Sequence, residues 1–143
     1  MNASTRLAVR PIGWVRSPLL RLDVAPKQGH EGAPNARVEI EPAFRSGLDG
    51  LAVGQDVLLL TWLHQSDREV LVVHPRDDLT QPLRGVFATR SADRPNPIGL
   101  HRVKVLAIED GGSLLVDRLE AIDGTPVIDI KPLLAQDFLP ESR

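Results

Sequence analysis

The chain has 143 residues, 42% of them hydrophobic and 25% charged, which suits one globular domain with one core. It has no cysteine, so disulfides, thiolate metal sites and a cysteine nucleophile are excluded. A net charge of −2 and 3% aromatic residues, with no tyrosine, argue against a strongly basic nucleic-acid binder and against a base-stacking platform.

The N-terminal ten residues lack the apolar core of a secretory signal. No apolar run approaches the roughly 20 residues of a membrane span. The expectation is a cytoplasmic protein with no membrane partner, made of one domain over residues 1–143 with a short tail after about 133.

Leu7 to Val15 reads as a strand interrupted by Pro11 and Gly13, hence an edge strand or a bulge. Leu22 to Ala36 carries Pro26, Gly29, Gly32 and Pro34 without periodicity and reads as a long loop. Arg37 to Glu41 alternates, with Val38 and Ile40 on one face and the charges on the other, as a half-buried strand does. Pro42 suits the first turn of a short helix ending near Gly47 or Gly50. Gln55 to His64 is a dense apolar run, expected as a strand buried on both faces.

Glu69 to His74 reads as a further strand, stopped by Pro75. The stretch GVFATRSADRPNPIGLHRVK, Gly85 to Lys104, then encloses a proline-stiffened loop between two β-prone runs, Val86 to Thr89 and Leu100 to Ile108. Arg94 and Asn96 each precede a proline and are pushed towards extended geometry, while Gly99 permits a sharp turn or a close backbone approach. From Arg84 to Lys104 five basic residues face only Asp93, a local basic patch on an acidic chain. Asp110-Gly111-Gly112 is a tight turn into a strand from Ser113 to Leu119. A second turn, Glu120 to Pro126, leads into Val127 to Lys131. Many short strands with regular turns and one or two short helices make a mainly β fold, a small antiparallel β-barrel or sandwich.

No G-x-G-x-x-G follows a strand and there is no phosphate-binding P-loop pattern. The four histidines, His30, His64, His74 and His101, show no helical metal-ligand spacing, so no metal site is expected. No serine sits in a nucleophile elbow.

The motifs GVFATRSADRPNPIGL and DGTPVIDIKP, with IGWVRSP at Ile12 to Pro18, APKQG at Ala25 to Gly29 and WLHQS at Trp62 to Ser66, closely resemble the YaeB-like (TsaA-like) tRNA adenine N-methyltransferases. The resemblance covers nearly the whole chain in the family's order. It implies a small β-barrel that binds S-adenosylmethionine, forms homodimers and methylates the exocyclic amine of a threonylcarbamoyl-modified adenosine next to the anticodon of tRNA. By motif, cofactor contacts fall at Pro26, Lys27 and Gln28, at His64 and Gln65, at Arg90 and Leu100, and at Glu120, Ala121, Ile122 and Asp123. The sequence departs from the family at Ala92, commonly Pro, and at Leu133, commonly Tyr. Longer bacterial relatives carry an additional C-terminal domain.

Methyl transfer to a delocalised amine calls for an acceptor that localises the nitrogen lone pair and a base that removes the surplus proton. Asn96, between two prolines, is the expected acceptor. Asp123 or Asp129 is the expected base. Arg90 and Arg94 are expected to grip a cofactor carboxylate or an RNA phosphate. The alternative reading is a cofactor-binding sensor or regulatory module without transfer activity.

Overall fold

The structure is a computed structural model that describes residues 5–20 and 32–138. Among the described residues eight strands occur in chain order: β1 (Gly13–Arg16), β2 (Ala36–Ile40), β3 (Asp56–Trp62), β4 (Val72–Val73), β5 (Arg84–Gly85), β6 (Ile98–Glu109), β7 (Ser113–Val116) and β8 (Pro126–Pro132). Six of them close into an antiparallel barrel in the order β1-β2-β7-β6-β3-β8, while β4 and β5 form a separate two-stranded ribbon. Closure removes the free edges that an open sheet would expose.

The strands alternate because the inside of so small a barrel holds only side chains. In β2 the residues Ala36, Val38 and Ile40 point in and are buried, and Arg37 and Glu39 point out and are exposed. β3 sends in Val57, Leu59 and Thr61; β6 answers with Val103, His101 and Gly99 at the paired positions. Together with Val15, Val105, Leu114, Val116, Leu119, Ala121 and Val127 these apolar residues form one core. Each fully buried valine or leucine contributes about 1.5–3 kcal/mol. Register skips a residue between Leu60 and Thr61 against β8, and between Val105 and Ala107 against β7. Such bulges bend strands and let a short sheet curl shut.

Several expectations change. β1 is not an edge: it pairs β2 over four residues and β8 over two, and Pro11 stays outside it. Gly13 is needed there because a Cβ would collide with the Glu39 carbonyl. β3 is fully buried only on its inner face; its outer residues Leu58, Leu60 and Trp62 are half-buried. The strand expected over Glu69 to His74 shrinks to Val72–Val73, and Val86 to Thr89 is no strand: Val86–Ala88 forms a 3-10 helix. The helix after Pro42 is present, as a 3-10 helix over Pro42–Leu48. Two more 3-10 helices lie at Pro75–Asp77 and Ala135–Phe138. The Asp110 to Gly112 turn closes the β6–β7 hairpin, with Gly111 and Gly112 at φ 87° and 88°.

Because every barrel neighbour is antiparallel, β1, β3 and β7 end at the rim where β2, β6 and β8 begin. Three connections therefore leave one rim: 17–35, 63–97 and 117–125. The opposite rim carries 41–55, the hairpin turn and the tail after Pro132.

Candidate functional site

The connection 63–97 folds back on itself at that first rim. Leu63 N donates to Pro97 O at 2.8 Å, and Arg94 N to Asp67 O at 3.1 Å. Asp67 N donates to Asp93 Oδ1 at 2.8 Å. The Arg68 side chain donates to Pro95 O at 2.7 Å and to Asn96 Oδ1 at 3.2 Å. Its guanidinium also sits 5.0 Å from the Trp62 ring centroid, a cation–π stack. So the segment with His64 and Gln65 and the segment with Arg90 to Asn96 form one braced unit. His64, Gln65, Arg90 and Asn96 are all exposed on it.

Arg94 has a different task from the one expected. Its guanidinium donates to Val86 O at 2.7 Å, to Ser91 O at 2.9 Å and to Thr89 O at 3.1 Å. Three carbonyls converging on one cation curl residues 86–91 around it, which is why Val86–Ala88 coils instead of extending. Those donors already serve the chain's own carbonyls.

The third connection is tied in from the other side. Asp123 Oδ1 accepts from Ser17 N at 3.0 Å, and Asp123 N donates to Leu19 O at 2.6 Å. The turn at Ile122–Thr125 is closed by Thr125 N and Oγ1, both on Ile122 O, with Gly124 at φ 83°. Asp123 is thus a turn former, and it also anchors the start of the segment that leads to Pro26, Lys27 and Gln28. Those three residues lie outside the described residues.

Leu119, Ala121 and Ile122 are buried, and Glu120 between them turns its carboxylate inwards. Glu120 Oε1 lies 2.6 Å from His101 Nδ1, and His101 Nε2 lies 2.6 Å from Thr61 Oγ1. Thr61 is fully buried and His101 is 4% exposed. Sequence reasoning missed this chain of three. The signal was there: His101 shares the parity of Val103 and Val105, so it is a polar residue on a core face.

Leu100 lies on the outer face of β6 opposite Leu60 and is 43% exposed. Asp129 is also on the outer face, opposite Leu60 on the β8 side; it pairs with Lys131 Nζ at 3.3 Å. It lines a cleft of about 480 Å³ with Ile12, Phe44, Leu48 and Leu51, towards the opposite rim. The structure therefore gathers His64, Gln65, Arg90, Asn96, Glu120 and Asp123 on connections of one rim, and does not bring Asp129 to them.

A closed six-stranded antiparallel barrel with one rim of braced polar loops is the class of protein that fold and site define. The family model described as the tRNA-methyltransferase O N-terminal domain matches residues 14–137, and the chain belongs to that family. A probable S-adenosyl-L-methionine-binding protein of Methanothermobacter thermautotrophicus is 44% identical over 126 residues, 88% of this chain and 89% of the relative. An S-adenosyl-L-methionine-binding protein of Archaeoglobus fulgidus is 38% identical over 125 residues, 87% and 88% of the two chains. Among solved structures, TrmO from Pseudomonas aeruginosa superposes with a TM-score of 0.76 at 31% identity, over 97% of this chain. The chain spans only 61% of that larger protein.

Proposed function

We propose that the protein is an S-adenosylmethionine-dependent methyltransferase acting on the exocyclic amine of an adenosine next to the anticodon of a tRNA, as a homodimer. The observation that carries this reading is the convergence of the motif-bearing segments, far apart in sequence, on one rim of the barrel. Membership of the family supports it, and so do relatives of similar length named for binding S-adenosylmethionine.

The donor set suits the cofactor's chemistry. Glu120 offers a carboxylate for hydroxyl or amino donors, Arg90 a guanidinium for a carboxylate, and Leu100 an apolar contact. Pro26, Lys27, Gln28, His64, Gln65 and the backbone of Ala121 to Asp123 complete the proposed binding set. S-adenosylmethionine, when bound, supplies an electrophilic methyl group on a sulfonium. The protein's part is mainly to hold two reactants in line. Asn96 Oδ1 accepts an amine N–H and localises the nitrogen lone pair. The second Asp123 oxygen takes up the proton released as the new bond forms. Asp129, paired to Lys131 on the outer face, is the weaker candidate for that role.

A second reading, a cofactor-binding module without transfer, draws on relatives named only as binding proteins. Calorimetric titration with S-adenosylmethionine, followed by incubation with labelled cofactor and total tRNA, separates the two. Binding with label incorporation establishes the enzyme. Binding without incorporation favours the module, and no binding refutes both.

A further inference from the structure

Inside the barrel, the ring nitrogens of His101 join Thr61 to Glu120. Thr61 lies directly opposite Gly99 and diagonal to His101 on the inner face of the β3–β6 pair. A Cβ at Gly99 would collide with Thr61 Oγ1 and with the imidazole. The glycine therefore opens the space through which the ring reaches the hydroxyl.

With Glu120 ionised and the His101 ring neutral, the directions of both hydrogen bonds follow. An ionised Glu120 only accepts, so the proton on the Glu120 side belongs to His101 Nδ1. In the neutral ring Nε2 is then an acceptor, and the Thr61 hydroxyl donates to it. No buried side-chain nitrogen or oxygen among the described residues lacks a partner. A fully satisfied buried network of this kind fixes one arrangement. Glu120, with 14% of its side chain exposed, is its outlet at the rim.

We propose that Thr61 and His101 are positioning residues. They lock the Glu120 carboxylate in one orientation, in which its other oxygen accepts hydrogen bonds from the cofactor's hydroxyl or amino groups. This rests on the cofactor-binding reading of the rim and deepens it.

The test uses the full chain and S-adenosylmethionine itself, by calorimetry. Wild type binds. Thr61→Val, near in shape but without the hydroxyl, weakens binding about tenfold, the scale of one hydrogen bond to a charged group. Thr61→Ser, which keeps the hydroxyl, restores it. Glu120→Gln and His101→Gln weaken binding at least as much. In ¹⁵N spectra His101 of the wild type is a single Nδ1–H tautomer, and Glu120→Gln, whose amide can donate or accept, turns it into a mixture. If Thr61→Val and His101→Gln lower the melting temperature but leave the cofactor Kd unchanged, the network is a core device only and the proposal is overturned. If His101→Gln does not fold, the Thr61 pair and Glu120→Gln decide alone. A wild type that binds no S-adenosylmethionine overturns the proposed function and this inference together; a wild type that binds, with indifferent variants, overturns only this one.

Discussion

Arg68 holds Asn96 from 28 residues away: its Nη2 donates to Asn96 Oδ1 at 3.2 Å while its Nε holds the Pro95 carbonyl at 2.7 Å. The amide sits between two prolines, so backbone and side chain are both fixed before any ligand arrives. One oxygen lone pair serves Arg68; in the proposed reaction the other accepts from the substrate amine. Asn96→Ala should lower methyl transfer about 100-fold with cofactor affinity nearly unchanged, on the scale of one preorganised contact. Arg68→Met should lower it about tenfold, because the acceptor is then present but no longer aimed. Single-turnover transfer of labelled methyl to tRNA measures both; wild-type rates in Asn96→Ala would remove that residue from the reaction.

Arg94 should behave as a structural residue. Arg94→Ala strips three carbonyls of a cationic donor and should cost about 2–3 kcal/mol in urea unfolding. Arg94→Lys should recover little, since an ammonium cannot reproduce the planar fork that spans Val86, Thr89 and Ser91.

Gly99→Ala tests the packing around Thr61 and His101. The added methyl meets both side chains inside a closed barrel with little room to yield, so about 1–3 kcal/mol should be lost, as for other overpacked cores. Thermal unfolding measures it. An alanine variant as stable as wild type would mean that the imidazole can leave its place cheaply.

Asp78 gives a pH prediction on the far side of the 63–97 connection. Its Oδ1 accepts from Thr80 Oγ1 at 2.6 Å and from Thr80 N at 2.9 Å. The Thr80 hydroxyl first, then the Thr80 amide, and more weakly His74, hold its carboxyl below the ordinary 3.8 against a small opposing effect of burial. A carboxyl depressed on folding stabilises the fold above its unfolded pKa, and that contribution is lost as pH falls through the depressed value. An NMR titration should show Asp78 titrating below the ordinary value in wild type and moving back up in Thr80→Val.

Much of the barrel was readable from the chain. The alternation of Ala36 to Ile40, the apolar run of β3 and the turn at Asp110 to Gly112 are local signals, and each led to the element observed. Val86 to Thr89 misled because its β propensity is real but weak: a cation five residues past its end, Arg94, gathers its carbonyls and outweighs it. Glu69 to His74 failed for a related reason, having only the two-residue partner Arg84–Gly85 to pair with.

The sequence by itself determined the alternation of β2, the apolar run of β3, the turn at Asp110 to Gly112 and the motifs that mark its family, because these depend on residues within a few positions of one another. Only the tertiary structure decided that three distant connections share a rim, that Arg94 serves the backbone, that Arg68 aims Asn96, and that Thr61, His101 and Glu120 join inside the barrel. Those depend on ring closure, which fixes which strand ends meet and which inward side chains lie diagonal to each other, and no local pattern encodes it.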